Sequence, residues 1–96
     1  MMQFGQALDA CKAGLKIARK SWNGKDQFVY WSPPIRITVE QVANPVLKEW
    51  LEHHKGVGDE VEFWGHVDFK PANNKIQCGW LTTQSDMRAD DWEIVA

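Results

Sequence analysis

The chain has 96 residues, 44% apolar and 25% charged, with a formal net charge of −2. That describes one ordinary globular domain, without the basic field that a polyanionic nucleic acid requires. No apolar run approaches the roughly 18 residues that span a bilayer, and Met1-Met2-Gln3-Phe4 lacks the basic-then-apolar order of a signal peptide, so a cytoplasmic protein is expected. Cys11 and Cys78 are too few for a secreted disulfide scaffold, and both are expected to be reduced and buried. Six tryptophans are the unusual count. An indole N–H needs a partner when buried, so these rings point to a core, an interface or a ring-lined pocket.

Phe4, Ala7, Leu8, Cys11 and Leu15 recur at helical spacing until Gly14 breaks the pattern, which predicts an amphipathic helix over residues 4–13. Residues 16–22 follow as a short strand that runs into Arg19-Lys20-Ser21-Trp22-Asn23-Gly24-Lys25. Asn23-Gly24 is a hairpin signal, and residues 27–31 form the clearest strand. Pro33-Pro34 ends it. Residues 35–39 read as a short extended piece, and Thr38 with Gln41 fits a capping box opening one turn. Asn44 and Pro45 supply a cap and a first-position proline for a helix over residues 44–55. Residues 61–69 alternate as one strand, with Val61, Phe63, Val67 and Phe69 on one face. Asn73-Asn74 marks a turn, and residues 76–81 return as a strand. Residues 86–91 read as a turn or one helical turn, with Asp86 as its cap, and 92–95 as a final strand. The sum is a small α+β domain: a mainly antiparallel sheet with an N-terminal helix and a second helix in the middle.

Catalytic motifs are absent from the sequence: no Cys-x-x-Cys, His-x-x-x-His or Gly-x-Ser-x-Gly occurs. His53-His54 suits a helix C-terminus better than a metal site, because adjacent helical residues point about 100° apart. Glu62, His66 and Asp68 share the polar face of their predicted strand and form the one candidate proton-transfer set, although an exposed polar sheet face is the favoured reading. Asp86, Asp90 and Asp91 lack the spacing of a calcium loop. No metal, no cofactor and no catalytic residue is therefore expected. The only locally positive stretch holds Lys16, Arg19, Lys20 and Lys25, enough for one or two phosphates but not for a polymer backbone. Trp22 suits a pocket and a core equally; for Trp80 and Trp92 the core is preferred. The helix bearing Trp50 is the expected contact if the chain is only a protein-interaction module.

Phe4-Gly5-Gln6-Ala7-Leu8, Ala18-Arg19-Lys20-Ser21-Trp22-Asn23-Gly24 and Phe28-Val29-Tyr30 resemble the N-terminal half of the second family of Thoeris anti-defence proteins. His66-Val67-Asp68-Phe69-Lys70 and the run from Gly79 through Gln84-Ser85-Asp86-Met87 to Asp90-Asp91-Trp92 resemble its C-terminal half. The resemblance covers residues 4–31 and about 61–95. It implies one domain over residues 1–96, with residues 33–60 a divergent insertion in it. It further implies a phage or prophage sponge that binds a cyclic nucleotide immune signal without cleaving it. The signal is typically a glycocyclic ADP-ribose, and some relatives resemble sponges for cyclic dinucleotides. The family assembles as homo-oligomers with pockets at subunit interfaces. Carried over by position, Trp22 would stack on a base, Asn23 and Gln84 would read polar edges, and Asp86 would accept from ribose hydroxyls. Phe4 would form a second aromatic wall. Charge alone, not the resemblance, assigns Arg19, Lys20 or Lys25 to phosphate. The chain departs from the family at Asn73-Asn74, where Asp-Gly is common, and at Leu81-Thr82-Thr83-Gln84, which changes the pocket rim. A small nucleotide phosphodiesterase using His66, Asp68 and Glu62 is the alternative function.

Overall fold

A computed structural model describes every residue except Asn23, Gly24, Lys25 and Val57. The expected Asn23-Gly24 hairpin turn therefore lies outside the described residues. Among those described, the chain forms α1 (Phe4–Lys12), β1 (Lys16–Arg19), β2 (Phe28–Ser32), β3 (Ile35–Thr38), a 3-10 turn (Val39–Gln41), α2 (Pro45–His54), β4 (Glu60–Phe63), β5 (His66–Lys70), α3 (Gln84–Arg88) and β6 (Trp92–Val95). The fold is α+β with antiparallel strand pairing throughout. By contact it divides into two compact units: Met1–Ser32 with His66–Ala96, and Pro33–Gly65.

The first unit is a four-stranded sheet in the order β5-β2-β1-β6. Ile17 of β1 stands opposite Val29 of β2 and Ile94 of β6, and Val29 opposite Phe69 of β5. α1 lays Ala7 and Cys11 against this sheet, and these two form the core with Ile17, Val29 and Trp92. All five are fully buried. Burial of each large side chain contributes about 1.5–3 kcal/mol. Cys11 is buried as expected, whereas Cys78 is exposed because its segment runs along the outer edge of β5.

The second unit pairs β3 with β4 and packs Val39, Val42 and Leu51 into its own small core, flanked by Ile37, Val61 and Phe63. Two sequence signals set its turns. Gln41 returns a side-chain bond to the Thr38 amide, closing the capping box. Asn44 Oδ1 accepts from the Val46 and Leu47 amides at 3.0 and 3.2 Å, with Pro45 at the first helical position.

Three strand expectations are corrected. Residues 61–69 are not one strand: the ladder changes partner at Trp64-Gly65, from β3 to β2. The alternation keeps its phase through that break, so periodicity could not reveal it. Residues 76–81 form no full strand; they make a single bridge between Gln77 and Phe69. The strand expected over 16–22 also stops at Arg19, where Trp22 N donates to Arg19 O and turns the chain.

Asn44→Ala should cost α2 about 1 kcal/mol, the usual value of such a cap. Amide hydrogen exchange should quicken about fivefold in residues 45–54, while the four-stranded sheet stays protected.

Candidate ligand-binding site

Phe4, Trp22 and Trp80 converge on Trp92, which opens β6 and is wholly buried. Its indole N–H donates to the backbone oxygen of Asp86 at 2.9 Å, so the buried donor is satisfied. Phe4 lies 5.6 Å from it, Trp22 5.5 Å at 76° and Trp80 6.0 Å at 82°. Trp22 also meets Phe69 at 5.6 Å and Trp80 at 6.2 Å, both edge-on. Such tilted and T-shaped contacts suit the ring quadrupole and add about 0.5–1.5 kcal/mol per pair beyond burial. Trp92 is therefore core. Trp22 and Trp80 are half-buried flanks of that core.

Arg19 sits at the end of β1, opposite Trp92 in register. Its Nε donates to Asp91 Oδ1 at 2.9 Å and its terminal nitrogen to Asp86 Oδ1 at 3.1 Å. Asp91 Oδ2 also accepts the Ser21 amide. These partners hold the Asp91 carboxyl down to about 2: the Ser21 hydroxyl first, then the Arg19 guanidinium, with the Ser21 amide adding to them. The same carboxylates, Asp91 foremost, push the Arg19 pKa up. The expected cap at Asp86 is corrected. Thr83 is the N-cap of α3, its Oγ1 accepting the Asp86 amide, while Asp86 Oδ2 returns bonds to the Thr83 amide and hydroxyl. Asp86 is thus the reciprocal member of a capping box.

Of the residues expected at a ligand site, Phe4 and Trp22 share the Trp92 indole, and Arg19 and Asp86 share one ion pair. Gln84 is exposed at the first position of α3. Asn23 and Lys25 lie outside the described residues. Arg19, Lys20, Trp22, Asp26 and Gln27 line a concavity of about 190 Å³, closed on the sheet side by Ala18, Glu93 and Val95. Arg19 has two nitrogens bonded to carboxylates, and Lys20 is the exposed cation of this concavity.

The candidate proton-transfer set draws on both units. His66 Nε2 is 3.3 Å from Asp68 Oδ1, but Glu62 is on β4 of the other unit, 3.6 Å from Arg36 Nη2. Asp68 is buried and accepts from Ser32 Oγ at 2.5 Å and from the Gly79 amide at 2.6 Å. Burial raises its pKa, but the Ser32 hydroxyl, the Gly79 amide and His66 outweigh that and hold it below the usual carboxylate value. Among the described residues no group of three or more His, Cys, Asp or Glu is placed to hold a metal ion. No helix of the described residues is long and apolar enough to cross a membrane. On α2, exposed Trp50 stacks on His54 at 3.9 Å and 9°.

Sequence reasoning missed Thr83 and Asp91. The first had a signal, since Thr83-x-x-Asp86 has capping-box spacing. The Arg19–Asp91 pair joins residues 72 positions apart and had none.

Comparison with known proteins places the chain in a family of Thoeris anti-defence proteins. The Thoeris anti-defense 2-like domain matches residues 2–95, and the chain is a member of that family. It is also similar to Thoeris anti-defense 2 of Bacillus phage SP01, with 32% identity over 98 residues, covering 99% of this chain and 96% of that protein. The family match includes the Pro33–Gly65 unit.

Asp91 gives the site a pH signature. Its folded pKa of about 2 lies below the ordinary value near 3.9, so its contribution is complete above about pH 4 and is lost as pH falls toward 2. Asp91→Asn should lower the thermal midpoint at pH 7. Its difference from wild type should then shrink between pH 4 and 2 in a melting series.

Proposed function

We propose that the chain sequesters a cyclic nucleotide immune signal of the glycocyclic ADP-ribose type, without cleaving it, and so blocks Thoeris immunity in the host cytoplasm. The observation that carries this reading is the family match across residues 2–95. The local chemistry agrees with it. Trp22 offers a ring at the rim of a concavity whose exposed cation is Lys20. In this reading Lys20, with Lys25, takes the phosphate role, because Arg19 is engaged with Asp86 and Asp91. Gln84 and Asn23 read polar edges. Asp86 already accepts three bonds, from Arg19 and from the amide and hydroxyl of Thr83. A carboxylate offers about four acceptor positions, which leaves one for a ribose hydroxyl. Phe4 acts through Trp92, as the wall behind the ring cluster.

A concavity of about 190 Å³ is smaller than the roughly 300–1,000 Å³ that encloses a ligand of this size. A second copy of the chain would complete it, so the functional form is a homo-oligomer, a dimer or tetramer, with pockets at subunit interfaces. Enclosure between subunits would also slow release, which sequestration requires.

The decisive experiment mixes the protein with glycocyclic ADP-ribose, removes free ligand, denatures the protein by heat and identifies what is released by mass spectrometry. Intact ligand in near-stoichiometric amount is expected, and degraded ligand would make the protein a hydrolase. Lys20→Glu should weaken binding about tenfold or more with an unchanged melting point, because Lys20 is exposed.

A further inference from the structure

The segment after the Asn73-Asn74 turn runs antiparallel to β5 along its outer edge. Gln77 exchanges both backbone bonds with Phe69, at 2.9 and 3.0 Å, and the Trp80 amide donates to Val67 O at 2.9 Å. On β5, Phe69 and Val67 are two residues apart; on the opposing segment, Gln77 and Trp80 are three apart. One extra residue is present, so Cys78 and Gly79 together oppose Asp68. That is a β-bulge, and Gly79 lies at φ +79°, the left-handed region that glycine adopts without strain.

The bulge changes which way Trp80 faces. In regular pairing residue 79 would stand opposite Val67, and Trp80 would fall on the same face as His66 and Asp68. With one residue inserted, Trp80 joins the face of Val67 and Phe69 and packs on the cluster of Trp22 and Trp92. A bulge also leaves an amide without a ladder partner. Here that amide is Gly79 N, and Asp68 Oδ1 accepts it at 2.6 Å. Asp68 is itself fixed by Ser32 Oγ on the neighbouring strand β2, at 2.5 Å, and has His66 Nε2 at 3.3 Å. It is 5% exposed, so its bonds are shielded from competing water.

We propose that Asp68 is a positioning residue for the ligand site: by holding the Cys78-Gly79 bulge it aims Trp80 at Trp22 and so fixes the ring offered to the ligand. The inference about the ligand rests on the sequestration reading; the inference about Trp80 does not. Removing the Asp68 carboxylate leaves the Gly79 amide unpaired, and the segment then gains by slipping to regular pairing, which turns Trp80 away. Trp22 loses its edge contact with Trp80, one of its three, and the ring at the rim of the concavity is held less firmly.

The test uses the full chain and two readouts. Near-UV circular dichroism reports coupling between tryptophans about 6 Å apart, and Trp80→Phe shows which part of the signal belongs to Trp80. Asp68→Ala should lose that same part. Asp68→Asn keeps an oxygen for the Gly79 amide and an NH₂ for Ser32 Oγ, and should retain it. Glycocyclic ADP-ribose dissociation should quicken about tenfold in Asp68→Ala and in Trp80→Phe, and much less in Asp68→Asn. A merely structural carboxylate would lower the melting point of Asp68→Ala while leaving the Trp80 signal in place, and that result overturns the proposal. If Asp68→Ala does not fold, Gly79→Ala, strained at its positive φ, serves as the second variant with the same expected loss, and a retained Trp80 signal there overturns the proposal equally. If wild-type protein binds no glycocyclic ADP-ribose, the sequestration reading fails while the Trp80 signal still decides the role of Asp68.

Discussion

The hydrogen bond from the Trp92 indole to the Asp86 carbonyl ties the buried core of the first unit to α3. A large apolar ring must enter the core, yet its one polar atom cannot be left without a partner there. An unsatisfied buried donor costs about 1–3 kcal/mol. Meeting that need fixes α3 relative to β6, because the acceptor is a backbone oxygen of α3. Everything else at the candidate site then has a defined place. Phe4, Trp22 and Trp80 pack around the same indole, and the Asp86 side chain, on the residue whose carbonyl is bonded, faces Arg19.

The Arg19 fork adds a second tie between the same elements. One guanidinium meets two carboxylates, one from α3 and one from the turn before β6, and a third contact reaches the Ser21 amide through Asp91. Its side chain is 20% exposed, so screening is partial and such a pair is worth more than a surface one. Arg19 and Ser21, just before Trp22, are thereby tied to α3 and to the turn before β6. In the sequestration reading proposed above, residues tied in place before binding lower the ordering cost that a ligand must overcome.

Much of the fold was legible because its signals were local. The spacing of Ala7 and Cys11 marked α1, the Asn44-Pro45 pair marked the start of α2, and the Thr38–Gln41 box marked the 3-10 turn. What could not be read was non-local. The change of strand partner at Trp64-Gly65 leaves the alternation in phase, and the bulge at Cys78-Gly79 breaks a strand that composition alone suggests. At the site, the sequence indicated Trp22, Arg19 and Asp86 as residues of interest. It could not indicate that Arg19 and Asp86 bond to each other, since nothing in residues 19 and 86 encodes their contact. Charge alone offered Arg19, Lys20 or Lys25 for phosphate, and it could not show that the fold brings two carboxylates to Arg19.

Ser32 and His66 are direct partners on the β2–β5 ladder. The chain therefore leaves the sheet at one rung and returns at the same rung, with 33 residues between. Topologically, the Pro33–Gly65 unit stands where a hairpin loop would. Closing a longer excursion between ends already fixed is inexpensive, about 0.6 kcal/mol for each doubling of length. By that measure the length of the excursion between Ser32 and His66 places little entropic demand on the four-stranded sheet, so what keeps the second unit folded is its own core of Val39, Val42 and Leu51.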